Sequence, residues 1–284
     1  MFLFLRFYLE ERIHRRVQRM QNPFLISLFS SIHTKNQLCF AVEYAEGGTL
    51  ESQLSRNALS LERSIFYSAC ITLGVKFLHE NKIVHRDLRP RNILLDGQGY
   101  AKIAGFGLCK EGVGDNDRSQ SCCGTLPYMA PEMLTEGSYT RSVDWWALGV
   151  LIYKMLVGKK PFGGNDIENV KNRIINESAS FPPELDANAK LIIIKLLRKE
   201  AKYRLGSSQR DAEEVMETPL FRGFNWDTLL SQEMQAPFTP QISVPEPVEL
   251  VSLRLPGAGV PAERPDRTPL EEALEELNCP ALLP

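Results

Sequence analysis

The residues best able to do chemistry stand between positions 85 and 92, which read His-Arg-Asp-Leu-Arg-Pro-Arg-Asn. The stretch gathers an imidazole, a carboxylate, several guanidinium groups and an amide. Asp87 is a carboxylate that could accept a proton. A dozen residues further on, positions 104–107 read Ala-Gly-Phe-Gly. Gly105 has no side chain and cannot bind a cation. The two segments disagree: one keeps a base, and the other offers no ligand beside it.

The chain that must position them has 284 residues, 43% hydrophobic and 24% charged. That composition suits one large globular domain or two small ones. A formal net charge of −2 gives no bulk attraction to nucleic acid or membrane. Cys39, Cys70, Cys109, Cys122, Cys123 and Cys279 show no C-x-x-C spacing. Reduced thiols in a cytoplasmic or nuclear protein are expected. The apolar start is interrupted by Arg6 and ended by Glu10, Glu11 and Arg12. It is too short to span a membrane and lacks the marks of a signal peptide, so it reads as a buried helix face.

Helical spacing of Ile13, Val17 and Met20 behind Phe4, Phe7 and Leu9 predicts a helix over 3–20, ended by Asn22-Pro23. Residues 24–29 and 37–44 predict a β-hairpin, and Gly47-Gly48 a break. A strong amphipathic helix is expected over 61–80. Strands at 93–95 and 101–103 flank an Asp96-Gly97 turn. Residues 141–157 are apolar nearly all round, which predicts a central helix. Further helices are expected near 185–198 and 211–217. From about Pro237 the chain turns proline-rich and reads as an extended tail. Within it, Thr268-Pro269-Leu270-Glu271 is a capping box that opens a short helix near 268–278.

Five segments now carry a resemblance: His85-Arg86-Asp87 to Asn92, Gly105-Phe106-Gly107, Ala130-Pro131-Glu132, Asp144 to Gly149, and Arg204-Leu205-Gly206. In order and spacing they resemble the protein kinases. Gly107 to Gly112, Cys123-Gly124-Thr125, Ser138 to Trp146 and Ser208 to Glu214 resemble the AGC serine/threonine group, and within it the protein kinase N subfamily. The resemblance covers about residues 9–240. It implies an α+β fold: a mainly helical C-lobe under a remnant N-lobe of the family's C helix and two strands. The implied division is 1–45 for the N-lobe remnant and hinge, 46–222 for the C-lobe, and 223–284 for a C-terminal extension and tail.

The resemblance also implies roles. Asp87 would orient a substrate hydroxyl and Asn92 would ligate a metal ion. Arg89 stands at the family's lysine that neutralises the moving phosphoryl group, a swap that is not innocuous. Glu43 and Ala45 form the hinge that meets adenine. Arg86 and Lys110 would grip a phosphate on Ser121, with Arg6 able to join them. Glu10 is the C-helix glutamate, Phe106 belongs to the structural frame, and Glu132 with Arg204 matches a buried ion pair. Asp144 matches the anchor of the catalytic-loop backbone. His14 takes the place of an apolar spine residue, which should weaken N-lobe packing.

Departures from the family set the functional expectation. Gly105 replaces the Mg²⁺-binding Asp. The sequence holds no G-x-G-x-x-G and no V-A-x-K, so both would lie before Met1. Losing one preorganised electrostatic donor costs roughly 3–4 kcal/mol of transition-state stabilisation, and several are missing. The expected reading is a catalytically impaired pseudokinase, with ATP and Mg²⁺ binding weak or absent. Its alternatives are a serine/threonine kinase with residual activity and a non-functional gene fragment. Thr49 and Arg91 stand where the subfamily carries acidic residues, and Leu126-Pro127 replaces Pro-Glu. Basophilic specificity should therefore not carry over. No Phe follows Phe238, so the group's hydrophobic tail motif is missing. A protein partner or substrate is expected, with no nucleic acid and no transmembrane segment. A partner covering the Phe2, Phe4 and Phe7 face also fits.

Overall fold

A computed structural model describes residues 2–33, 38–54, 58–113, 119, 123–135, 137–164 and 166–240. The side chains of 2–9, 33 and 38 lie outside this description. So do the expected phosphate acceptor Ser121, the Phe2, Phe4 and Phe7 face, and the helix near 268–278.

The body is helical and is built around α3 (Leu61–Glu80) and α5 (Ser142–Val157). Ser60 caps α3 by accepting the Arg63 N–H, which satisfies one orphan donor of the first turn. Gly158 closes α5 at φ 79°, a left-handed C-cap that favours glycine. Trp145 and Trp146 on α5 are fully buried. α5 packs against α3 on one side and α7 (Ala187–Leu196) on the other. Helices α2 (Leu50–Leu54), α4 (Pro131–Thr135), α6 (Ile167–Asn176), α8 (Ala212–Met216) and α9 (Trp226–Leu230) complete the described set.

Three two-stranded antiparallel sheets are described. β1 (Leu28–His33) pairs with β2 (Leu38–Val42), and β3 (Ile83–Val84) pairs with β6 (Lys110–Glu111). β4 (Ile93–Leu95) pairs with β5 (Ala101–Ile103), as the Asp96-Gly97 turn predicts. Asp96 Oδ1 accepts the Gln98 and Tyr100 N–H groups and holds that turn. α1 (Phe2–Met20) lies across β1 and the 3-10 turn Phe106–Leu108. It buries Ile13 and Val17 there. The result is the α+β arrangement expected: a mainly helical body under α1 and two strands.

One expectation needs correction, and one element was missed. The first hairpin strand begins at Leu28, not at Phe24. Phe24–Ile26 instead run beside β5, through Ile26 N–H to Ile103 O and Ile103 N–H to Phe24 O. Their apolar run is buried in the body, and a register irregularity between Leu28 and Ser30 turns the chain into the hairpin. Helix α6 was not anticipated. It is short but amphipathic: Ile167, Val170, Ile174 and Ile175 fall at helical spacing, Val170 and Ile174 are buried, and Asp166 caps its first turn by accepting the Asn169 N–H.

Candidate functional site

The loop 85–92 is fixed from below by α5. Asp144 accepts the backbone N–H of His85 on Oδ2 and of Arg86 on Oδ1, each at 2.8 Å. Arg86 sits at φ 69°, and such strained backbone persists where surrounding bonds over-determine it. Burial alone would raise the Asp144 carboxyl, but the hydrogen bond and charge of His79 hold it below its usual range. Asp144 thus holds the backbone of His85 and Arg86 from α5.

His85 is buried, and burial pushes its pKa down. Its Nδ1 accepts the Asp87 N–H at 3.3 Å, and its Nε2–H donates to Ala104 O at 3.0 Å. The neutral ring thereby ties the 85–92 loop to the 104–107 segment. Phe106 is fully buried. It stacks edge-on against His14 at 4.8 Å and against His85 at 5.9 Å between ring centroids.

Asp87 is nearly buried, and its carboxylate is fully engaged. Oδ1 accepts from Thr125 Oγ1 at 2.7 Å, and Oδ2 from Asn92 Nδ2 at 3.0 Å. Asn92 Nδ2 also donates to Asp87 O at 2.8 Å. Arg89 Nε lies 3.3 Å from Asp87 Oδ2 without the alignment of a hydrogen bond. Asp87, Arg89, Asn92 and Thr125 therefore form one cluster.

Gly105 closes that cluster at φ 78°. A Cβ added there would lie 2.8 Å from both Asn92 Cγ and Oδ1. The space in which a side chain at 105 would emerge is filled by the Asn92 amide. These residues do not fit a Mg²⁺ ion: a lone amide oxygen is a poor ligand set for near-octahedral coordination. Among the described residues no three His, Cys, Asp or Glu side chains converge as a metal site.

At the hinge, Glu43 N–H donates to Ser27 O, and Ala45 O accepts from Gly48 N–H. The Glu43 carbonyl and Ala45 N–H take no hydrogen bond among the described residues. The Glu43 carboxylate pairs with Lys102, a contact the sequence did not suggest.

The elements on either side of the chain between β6 and α4 are tied down by ion pairs. Glu111 pairs with Arg12 and with Arg16, the latter at 3.6 Å, which ties β6 to α1. Glu10 lies on the same helix, near enough to Cys109 to help raise its thiol pKa behind the larger effect of burial. Further along, Glu132 and Arg204 form a buried two-pronged pair at 2.6 and 2.9 Å. This joins α4 to the turn after α7.

With that geometry in view, the whole-chain comparison is decisive: the protein kinase domain model matches residues 7–221. The chain belongs to the protein kinase family. It is 49% identical over 239 residues to serine/threonine-protein kinase N2 of Danio rerio, covering 84% of this chain and 24% of that one. Against serine/threonine-protein kinase N3 of Mus musculus it is 46% identical over 238 residues, covering 84% and 27%. Against the RAC-beta serine/threonine-protein kinase of Homo sapiens it is 41% identical over 230 residues, covering 81% and 48%. These similarities place this kinase domain in the AGC group, on the side of the protein kinase N enzymes. The chain spans about a quarter of the length of the protein kinase N relatives. The family uses ATP and Mg²⁺ generally. Among the described residues no helix is long and apolar enough to cross a membrane.

Proposed function

We propose that this AGC-type kinase domain is catalytically impaired and acts on a protein partner by binding. The observation that carries the reading is Gly105 against Asn92. The position of a metal carboxylate is glycine, and its side-chain space is taken by an amide bonded twice to Asp87. Nucleotide binding should be weak and independent of Mg²⁺, through the Glu43 and Ala45 edge. Arg91 is exposed and would repel arginine-rich peptides. A cytoplasmic or nuclear setting suits the free thiols Cys39, Cys70, Cys109 and Cys123.

The test is thermal unfolding with millimolar ATP, with and without Mg²⁺, alongside phosphate transfer to a generic protein substrate. The expected result is at most a small ATP shift, no added effect of Mg²⁺, and no transfer. A ligand at one hundred times its Kd would add about 2.7 kcal/mol, so a Mg²⁺-dependent shift would be easy to see. Transfer that Asp87→Asn abolishes would overturn the reading. A second reading, residual serine/threonine kinase activity, is favoured by the intact contact of Asp87 with Thr125. That transfer result would establish it.

A further inference from the structure

We propose that the outer face of α7, with the turn that follows it, docks on an anionic lipid surface. The inner face of α7 buries Ala189, Ile192, Ile193 and Leu196, and the helix packs on α5. A helix that only had to cover α5 would carry polar residues on its other side. Instead Leu191 and Ile194, neighbours on one helical face, are 38% and 39% exposed. Lys195 lies one turn beyond Leu191, and exposed Arg198 follows just after the helix ends. Tyr203 adds a third apolar tip, 65% exposed. Leu205 N–H donates to Lys195 O at 3.1 Å, which folds the turn carrying Tyr203 back on the end of α7.

Charge decides the occupant. Between 187 and 204 the exposed charged residues are Lys190, Lys195, Arg198 and Lys202, against Glu200 alone. The other two cations of this stretch turn inward, Lys199 to the carbonyls of Arg173 and Ile174 and Arg204 to Glu132. Lys202 shares Glu200 at 3.5 Å. Among the described residues Lys195 and Arg198 have no carboxylate at ion-pair distance. The whole chain stands at −2, so this positive surplus is local.

A bilayer rich in anionic headgroups meets both halves of the face. Phosphates and carboxylates take the cations, the acyl boundary takes Leu191 and Ile194, and a phenol ring suits the headgroup level. The outer side of one helix presents tips rather than a groove, and a helical peptide partner lies in a groove. Docking of this kind lies in the plane of the interface. It uses no nucleotide and no residue of the 85–92 loop, so it stands apart from the reading above.

The test is co-sedimentation of the full chain with mixed phosphatidylserine–phosphatidylcholine vesicles and with pure phosphatidylcholine vesicles. Binding is expected to the mixed vesicles only, falling as salt is raised. A basic residue near such a surface raises partitioning about fivefold, so Lys195→Gln with Arg198→Gln should lower it roughly 30-fold. Leu191→Ser with Ile194→Ser should weaken binding several-fold at an unchanged melting temperature. Lys159→Gln with Lys160→Gln removes two exposed cations elsewhere and should leave binding intact. No binding to the mixed vesicles would overturn the proposal, as would equal losses from the two glutamine pairs. Binding that survives Leu191→Ser with Ile194→Ser and is cleared by soluble polyglutamate would mark a site for acidic peptide, and would overturn it too.

Discussion

His14 puts an ionisable ring among apolar ones. It is 4% exposed, lies between Phe40 and Phe106, and its Nδ1 has no hydrogen-bond partner among the described residues. Burial pushes its pKa down to about 4, against a backbone hydrogen bond to Ile26 that favours the charged form. An unsatisfied buried polar atom costs about 1–3 kcal/mol. His14→Leu should therefore stabilise the protein, read as an increase in urea midpoint at pH 7. The variant should also lose an acid limb. Between pH 6.5 and about 4 the unfolded ring binds a proton that the folded ring refuses, so stability falls with pH in the wild type. Gly105→Ala tests the neighbouring contact. Left-handed backbone costs a non-glycine residue about 1–2 kcal/mol, and its Cβ must displace Asn92. A fall in urea midpoint of that size is expected, and no change would show that Asn92 yields freely. The motif residues Asp87, Asn92 and Gly105 were legible in the sequence. That the Asn92 amide fills the Gly105 space was not, because it depends on a rotamer set by Asp87.

Elements are joined here by pairs of very different worth. Glu132 and Arg204 are buried and bidentate, and removing one partner of such a pair typically costs about 3–5 kcal/mol. Glu132→Gln should fall in that range by denaturant unfolding. Arg204→Lys should also lose much of the pair, because an ammonium cannot reproduce the fork. The bond between β6 and α1 is weaker. Arg12 and Arg16 side chains are 67% and 43% exposed, and such pairs contribute about 0–1 kcal/mol. Glu111→Gln should hardly change global stability, yet it should speed amide exchange in α1, whose tie to β6 it removes. At this scale the sequence was a good guide where an apolar segment was long, as in α3 and α5, although α3 is buried on nearly every face rather than along the one stripe expected. It misplaced β1, because an apolar run such as Phe24–Ile26 can be buried without pairing in a hairpin. It was silent on α6, whose apolar stripe of Ile167, Val170, Ile174 and Ile175 covers barely two turns.

Across the whole molecule, stability should depend on pH from both sides. His79 is fully buried between Asp144 and Asp211, with ring nitrogens 3.0 Å from each carboxylate. Burial alone would lower its pKa, but hydrogen bonds and charge from Asp144 and Asp211 raise it to about 9. A raised folded pKa gives stability that is fully present below the unfolded value near 6.5 and is lost as pH rises through about 9. Urea unfolding measured from pH 4 to pH 9 should therefore peak near 6.5, with His14 shaping the acid side and His79 the alkaline side. Asp211→Asn should flatten the alkaline limb, and an unchanged slope would remove His79 as its cause. Asp211 also accepts from Trp145 Nε1 at 2.7 Å, so this one cluster links α3, α5 and the start of α8.

The three tryptophans, Trp145, Trp146 and Trp226, all lie in the helical body: two on α5, and one at the start of α9 against Phe221 and Phe224. Intrinsic fluorescence is thereby a one-sided reporter. It follows loss of the body and is blind to release of α1 and the β1–β2 hairpin. A far-ultraviolet circular dichroism melt that begins at lower temperature than the fluorescence melt would reveal that first step optically. Coincident curves would mean that the small upper part and the body melt as one unit.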